Sequence, residues 1–263
     1  EPLNSDAVSW RKLSKTTAGN RHAALAAGSI AMEVSGWIES NFKIPDPDLP
    51  TLEKHDPETA GRILRERWGL GELPISNAVH LVESHGVRVF SLASDCRSVD
   101  AFSLYRDGRP FIFLNTAMSG ERQRFDTAHE LGHLVLHADA DVAHGRDKEQ
   151  EANRFAASLL MPARGVTSQG LREASLSQIL EAKVYWKVAA MAMTHRLHEL
   201  GLLSEWGYRS TCIALSNGGY RRSEPGGIKP ETSQVLTKVL QAMRTSGSGI
   251  GEIADQLDIT TEE

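Results

Sequence analysis

Residues 119–137 read SGERQRFDTAHELGHLVLH and contain the pattern HExxH. On an α-helix, residues four positions apart lie one turn apart on the same face, so His129 and His133 can direct both imidazoles at one metal ion. Glu130 is rotated by one position and cannot join them as a ligand, but its carboxylate can reach a water beside the ion. The pattern predicts a catalytic metal site with Glu130 as the base. The alternative is an amphipathic helix whose histidines bind nothing.

A third ligand has to come from elsewhere in the chain, because a catalytic Zn²⁺ site takes three protein ligands and keeps one position open. The subclass with the pattern HExxHxxGxxH is excluded, since Leu136 and Asp139 stand where it has glycine and histidine. His137 is eight residues from His129, about 12 Å along the helix axis, which is too far to share its ion. A glutamate on a following helix is the remaining common ligand type.

The stretch DKEQEANRFA, residues 147–156, offers two such carboxylates, Glu149 and Glu151. At about 100° per residue they point about 200° apart on a helix and cannot both face one ion. Glu149 shares its face with a stripe of small residues that can pack close to the HExxH helix: Ala152, Asn153 and Ala156. Helical geometry therefore favours Glu149 as the third ligand, with Asn153 placed one turn further on to hydrogen-bond a ligand.

Glu151 is the alternative ligand. It shares its face with Arg154, Phe155 and Ser158, a bulkier surface that we expect to hold the two helices apart. As a non-ligand it would be an acidic residue in the first turn of a helix, where it interacts favourably with the helix dipole.

Three segments with strand composition precede the HExxH helix, at 87–93, 100–106 and 109–115. The dipeptide Asp107-Gly108 is typical of a tight hairpin turn between the last two. We expect a short meander, and its position between helices predicts an α+β fold with a small antiparallel or mixed sheet. The strand at 109–115 either exposes an edge to which an extended substrate adds or is fully paired.

Helix signals define four parts of the chain. Asp56 and Pro57 are a helix start that leads to Gly69, and a second helix is expected between Ser76 and Gly86. The parts are 1–55, an N-terminal helix (20–42) and a proline-rich linker; 56–165, the domain that contains the HExxH motif; 166–208, a helix-turn-helix-like subdomain; and 209–263, a C-terminal loop with a helical segment.

The downstream parts carry few chemical signals. Residues 175–203 predict two helices that meet near Val184–Lys187, and residues 209–230 predict a solvated loop with the basic pair Arg221-Arg222. The end of the chain, SGSGIGEIADQLDITTEE, resembles the opening of a helix-turn-helix unit. Any DNA binding is therefore expected only through segments outside this chain or at its ends.

Composition and charge argue against a nucleic-acid-binding, a membrane or an exported protein. The chain of 263 residues is 40% hydrophobic and 24% charged, which is ordinary for a globular protein. A net charge of −5 argues against a dedicated nucleic-acid binder. The absence of a long apolar run and of a signal-peptide pattern predicts no membrane segment and no export. Cys96 and Cys212 make no CxxC unit, so we expect reduced thiols in a cytoplasmic protein.

The two motifs together, RQRFDTAHELGHLVLH and EQEANRFAASLLMP, resemble the ImmA/IrrE family of metallopeptidases. The resemblance runs from about residue 57 through the LLMP run at 159–162 and, more loosely, to about residue 210. As in gluzincins, it implies that both HExxH histidines and a glutamate thirteen residues before the LLMP proline bind the metal. Counting back from Pro162 gives Glu149, and Asn153 falls where a supporting Asp or Asn is often found.

The resemblance also implies a function: an intracellular zinc endopeptidase with a zincin-like fold, coupled to an XRE-type helix-turn-helix repressor. The family's members cleave such a repressor in response to stress or mobile-element signals. The alternative is a regulatory module that keeps its metal but acts mainly by binding DNA or a partner protein. Zn²⁺ is the expected ion, although another divalent metal fits the same ligands. Tyr105, Arg124 and His195 are weak candidates for a donor to the oxyanion.

Overall fold

The computed structural model describes residues 18–92, 101–138, 146–221 and 223–257. Cys96, Asp139, Arg222 and the chain ends 1–17 and 258–263 lie outside the described residues, and so do the predictions that fall on them.

The fold is α+β, as the sequence predicts, with a small mixed sheet among helices. The elements of the described residues follow in chain order: α1 (Ala18–Asn41), α2 (Pro57–Arg67), α3 (Ala78–Ser84), β1 (Arg88–Ser91), β2 (Ala101–Arg106), β3 (Arg109–Leu114), α4 (Gly120–Leu136), α5 (Arg146–Leu160), α6 (Ala163–Thr167), α7 (Leu176–Trp186), α8 (Ala190–Glu199), α9 (Glu205–Asn217), α10 (Gln234–Ser246) and α11 (Ile250–Leu257). None of these helices is both long and apolar enough to span a membrane.

The sheet has the order β1-β3-β2, with β1 parallel and β2 antiparallel to β3. The hairpin at Asp107-Gly108 is confirmed, and both of its residues have positive φ angles, 50° and 74°. The expected meander is wrong, because β1 pairs with β3 rather than with β2. β3 takes the central position, and it is buried from Pro110 to Leu114, as a strand covered on both faces is.

The central position of β3 also decides between the two interpretations of residues 109–115. The strand is paired on both sides, so it offers no edge to a substrate, and that interpretation is wrong. Within the described sheet the edge strands are β1 and β2.

Helix capping follows the sequence signals closely. Asp56 caps α2 by accepting hydrogen bonds from the backbone N–H groups of Glu58 and Thr59, both at 3.2 Å. The expected cap of α3 is wrong by one residue: Asn77 rather than Ser76 accepts from the N–H of His80, at 2.8 Å. The helix ends before Gly86, whose φ of 82° is a conformation that glycine adopts without strain.

Helix α4 packs against α5 on one side and against β2 and β3 on the other. The two helices approach closely at Gly132, where a Cβ atom would lie 2.9 Å from the Phe155 ring and 3.3 Å from Cα of Ala152. Phe155 is fully buried in this contact. The expectation that the face of Phe155 would hold the helices apart is therefore wrong, because Gly132 leaves room for the ring.

The proline-rich segment after α1 lies extended against the helices that follow. The N–H of Leu52 donates to the carbonyl of Val135 at 2.7 Å, and that of Asp48 donates to the carbonyl of His85 at 3.0 Å. Leu52 is buried. The segment is thus held by backbone hydrogen bonds to α4 and to the end of α3.

The C-terminal part is more helical than the sequence predicts. The two helices expected around Val184–Lys187 are present as α7 and α8. The prediction of a loop at 209–230 is wrong for residues 209–217, which belong to α9. Ser204 caps this helix by accepting from the N–H of Gly207, and its one fully buried side chain is that of Leu215. Helices α1, α10 and α11 share a small core of Ile38, Val239, Met243 and Ile253.

Candidate metal centre

Three predicted ligands meet at the contact between α4 and α5. The Nε2 atoms of His129 and His133 lie 3.1 Å apart on the buried face of α4. The Glu149 carboxylate approaches from the first turn of α5, with Oε2 at 3.6 Å from Nε2 of His129 and Oε1 at 3.4 Å from Nε2 of His133. The ligand atoms of the three side chains all lie within 4.8 Å of one another.

These separations fit a four-coordinate metal ion. Zinc bonds to imidazole nitrogen and carboxylate oxygen are about 2.0–2.2 Å long, so the ligand atoms of a tetrahedral ion are about 3.3 Å apart. The observed separations, 3.1, 3.4 and 3.6 Å, lie around that value. Two imidazoles and one carboxylate leave one position open, as catalytic zinc sites do.

Asn153 fixes the tautomer of the first histidine. Its side-chain oxygen lies 2.9 Å from Nδ1 of His129, and because an amide oxygen can only accept, Nδ1 carries the proton. A neutral His129 ring then has its lone pair on Nε2, the atom that faces Glu149. Hydrogen bonds of this kind orient metal-binding histidines and raise their basicity.

His137 and Glu151 do the same for the second histidine. The Glu151 carboxylate accepts from Nε2 of His137 at 2.8 Å, and Nδ1 of His137 lies 3.1 Å from Nδ1 of His133. Burial lowers the pKa of His137, which favours its neutral form. Its Nδ1 then accepts from Nδ1–H of His133, so the lone pair of His133 also lies on Nε2.

The protonation pattern has a consequence for the site. With both Nδ1 atoms donating, each ring has its lone pair on Nε2, and the two Nε2 atoms lie 3.1 Å apart with the Glu149 carboxylate beside them. Two lone pairs at that distance repel, and a cation between them turns the repulsion into two bonds. The donor chemistry thus independently supports a metal ion at this point.

Glu130 contacts the sheet. Its Oε2 accepts a hydrogen bond from the hydroxyl of Ser103 on β2 at 2.8 Å, and the same hydroxyl lies 3.2 Å from the backbone carbonyl of Glu130. Both residues are buried. The sequence reasoning missed Ser103, although a single hydroxyl residue within the buried run Ala101–Leu104 was a signal for it.

Tyr105, Arg124 and His195, the three weak candidates for a donor to the oxyanion, occupy different surroundings. The guanidinium of Arg124 is fully buried, pairs with Glu231 and donates to the carbonyl of Ile75, so it does not serve the centre. Tyr105 donates to the carbonyl of Leu134 on α4 at 3.3 Å, and burial raises its pKa.

His195 lies apart from the ligands on α8, where it pairs with Glu199 at 3.4 Å. Of the three candidates, only Tyr105 thus combines a hydroxyl donor with a position against the half of α4 that carries His133.

Residues 82–198 match the sequence model of the peptidase M78 family, described as the IrrE N-terminal-like domain. The matched segment runs from the end of α3 through α8 and so contains the sheet and all three predicted ligands. This part of the chain belongs to the ImmA/IrrE family of metallopeptidases. A comparison with curated proteins found no match. The family match supports a metallopeptidase-type function, and the cluster of His129, His133 and Glu149 is the candidate metal centre.

Proposed function

We propose that this ImmA/IrrE family protein is a cytoplasmic zinc-dependent endopeptidase that cleaves a regulatory protein, such as a helix-turn-helix transcriptional repressor, in a stress or mobile-element response. The observation that carries the catalytic part is the convergence of His129, His133 and Glu149, with the buried Glu130 next to His129 in the chain. The choice of a repressor as substrate is supported by the resemblance of the two motifs to this family.

The bound ion would lower the pKa of a water and polarise the scissile carbonyl group. Glu130 accepts the proton of the attacking water as general base and then delivers it to the nitrogen of the leaving amine. Ser103 holds the Glu130 carboxylate in place during both transfers. Asn153 and the pair of His137 and Glu151 keep the two histidines in the tautomer that binds metal.

The edge of β2 is the place where an extended polypeptide would add. In the described sheet β2 is paired on one side only, with β3, and Ser103 on this strand contacts Glu130. A peptide hydrogen-bonded to the other side of β2 would run beside the metal centre, held by main-chain hydrogen bonds that are independent of sequence. Specificity would then come from side-chain pockets next to the scissile bond.

Replacement of Glu130 by glutamine tests the proposal. Glu130→Gln keeps the size of the side chain and every metal ligand but cannot accept a proton. We expect the zinc-loaded variant to retain one zinc per chain and to lose cleavage of an unfolded protein such as casein by roughly 100-fold or more. The substrate class is tested by incubating wild type and variant with a repressor encoded beside this protein's gene and locating any cleavage by mass spectrometry.

The same variant separates the proposal from the regulatory-module alternative. A Glu130→Gln protein that still performs the full cellular function would show that the chain acts by binding rather than by hydrolysis. Loss of function with zinc retained supports the peptidase.

A further inference from the structure

A cavity of about 230 Å³ lies between α1 and the β2–β3 hairpin. Arg106 and Arg109 are directly opposite each other across the two strands, so both side chains project from one face of the hairpin. Phe111, two residues beyond Arg109, shares that face, and all three residues line the cavity. Ser103 projects from the other face of β2, toward Glu130 on α4. The cavity and the candidate metal centre therefore lie on opposite faces of the sheet.

Glu39 on α1 closes one end of the cavity by pairing with two arginines. Its side chain is only 13% exposed, and its carboxylate lies 2.7 Å from Nη2 of Arg109 and 3.1 Å from Nε of Arg88. Each arginine contacts a different oxygen of this carboxylate, so Glu39 is already satisfied within the protein. Two guanidinium groups face one carboxylate here, which leaves this end of the cavity with an excess of positive charge.

Two further charged side chains of opposite sign remain for a ligand. Among the described residues, Arg106 has only the exposed Asp107 as an ion-pair partner, at 3.4 Å. Glu33 is exposed on α1 and forms no ion pair with a described residue. It lies six residues before Glu39, about 9 Å along the helix axis, and so away from the end with excess positive charge. The cavity thus offers a cation on the hairpin and an anion on the helix.

Ser35 is a second observation that points to a ligand. It lines the cavity and is 2% exposed, and its hydroxyl is buried without a hydrogen-bond partner in the described part of the chain. Buried side-chain hydroxyl groups in proteins nearly always have a partner. A polar ligand in the cavity would supply the one that Ser35 lacks.

The size and lining of the cavity restrict the ligand to a small molecule with an apolar part. Its volume is below the roughly 300–1,000 Å³ of sites for drug-sized molecules. Phe111 is buried and Met32 is half-buried, and together they provide an apolar surface. Gly36 leaves the space in front of α1 open, because a Cβ atom at this position would meet nothing within 4 Å.

We propose that this cavity binds a free α-amino acid with an apolar side chain, whose carboxylate accepts hydrogen bonds from Arg106 and whose ammonium group donates to Glu33 and Ser35. A carboxylate matches the N–H donors of a guanidinium group, and the apolar side chain covers Phe111 and Met32. The site goes beyond the proposed peptidase function, since it contains no metal ligand and lies on the face of β2 that does not contact α4.

Calorimetry with L-leucine and L-methionine on the full zinc-loaded chain tests the proposal. N-acetyl-L-leucine lacks the positive charge of the amino acid, and L-leucinamide lacks the negative one. We expect both free amino acids to bind and both blocked compounds to bind roughly tenfold more weakly or worse, because each has lost hydrogen bonds between charged groups. Removal of zinc with a chelator should leave the binding of L-leucine unchanged.

Two variants locate the binding in the cavity. Arg106→Gln removes the cation of the hairpin, and Gly36→Leu fills the cavity from α1 without a clash. Each should weaken the binding of L-leucine roughly tenfold or more, and circular dichroism verifies that each is folded. Arg209→Gln, at an exposed arginine on α9 that pairs with Glu205, is the matched control and should bind L-leucine as the wild type does.

Absence of binding of both amino acids to the wild type overturns the proposal, and so does binding that Arg106→Gln and Gly36→Leu leave unchanged. Equally tight binding of the two blocked compounds would show that the charges of the amino acid are not recognised. Binding that is lost with the zinc would place the amino acid at the metal centre and would contradict a separate site.

Discussion

Glu151 accepts a hydrogen bond from Nε2 of His137 at 2.8 Å, on the far side of His133 from the predicted metal position. The two glutamates of α5 therefore act on the same histidine from opposite sides. Glu149 faces its Nε2 at 3.4 Å, whereas Glu151 reaches its Nδ1 through the His137 ring. One carboxylate completes the ligand set, and the other orients a ligand.

This relay predicts that His137 and Glu151 are energetically coupled in metal binding. Loss of a hydrogen-bonding partner behind a metal-binding histidine typically lowers metal affinity about ten- to 100-fold. We expect His137→Ala and Glu151→Ala each to weaken zinc binding by about this factor, and the double variant to be hardly weaker than either single one, because residues of one network do not act additively. Competition titrations with a chelator would measure the zinc affinity of the wild type, the two single variants and the double variant. If the losses of binding free energy in the two single variants add up to the loss in the double variant, the relay does not exist.

The hydrogen bond from Ser103 to Glu130 predicts a selective effect on turnover. A hydrogen bond to a charged group contributes about 1.5 kcal/mol or more, so Ser103→Ala should lower kcat about tenfold on a peptide that the wild type cleaves. KM and zinc content should stay unchanged, because the Ser103 side chain is proposed to contact only Glu130, and the replacement leaves the main chain of β2 as it is. Ser103→Thr retains the hydroxyl and should restore kcat. A loss that appears in KM or in zinc content, or that threonine does not restore, would contradict this role.

The buried pair of Arg124 and Glu231 predicts a large effect on stability. Glu231 also accepts from the N–H groups of Ala78 and Val79 at the start of α3, at 2.7 and 3.1 Å. Glu231→Ala would leave a fully buried guanidinium without its counter-charge, which costs about 3–5 kcal/mol of unfolding free energy.

Urea unfolding measures the stability of this variant, with Lys229→Ala as control. Lys229 is exposed on the same segment, so its replacement should stay within about 0.5 kcal/mol of wild type. Equal stability of the two variants would show that Glu231 has no structural role.

The pair of His195 and Glu199 predicts a pH window of stabilisation. The hydrogen bond to Glu199 raises the pKa of His195 above 6.5. Burial by itself raises the pKa of Glu199, but the interactions with His195 and nearby arginines outweigh burial, so that the pKa of Glu199 lies below 4.5. The stabilisation that His195 contributes is complete below pH 6.5 and is lost as the pH rises through the pKa of His195 in the folded protein. The stabilisation that Glu199 contributes is present above pH 4.5 and is lost as the pH falls through the pKa of Glu199 in the folded protein.

Glu199→Gln should therefore destabilise the protein more at about pH 5.5 than at about pH 8.5. Unfolding curves of wild type and variant at both pH values measure the difference. An NMR titration of the His195 ring should show its pKa falling in the variant. An unchanged pKa would contradict the pairing.

Local signals in the sequence predicted the helices around the centre well. Helical periodicity places His129 and His133 on one face and separates Glu149 and Glu151 by about 200°. This periodicity can be read from a single helix without knowledge of its neighbours. The structure brings His129, His133 and Glu149 together, whereas Glu151, expected on a face that stands apart from α4, contacts His137 at the end of that helix. The spacing from Glu149 to Pro162 pointed to the same residue through the family resemblance.

What the sequence left undetermined depends on contacts between distant elements. Nothing local distinguishes a β1-β3 pairing from a β1-β2 pairing, so the sheet order was missed. Ser103 reaches Glu130 only because that order places β2 over α4. The error about Phe155 has the same origin, since the space for its ring is provided by Gly132 on another helix.

Zinc binding by Glu149→Ala and Glu151→Ala, compared side by side, tests the central claim most directly, because the two variants remove the same group two residues apart. With zinc in excess, we predict about one zinc per chain for wild type and for Glu151→Ala, the latter with about ten- to 100-fold weaker affinity, and little or none for Glu149→Ala. Loss of zinc from Glu151→Ala together with full retention by Glu149→Ala would contradict the centre described for this protein.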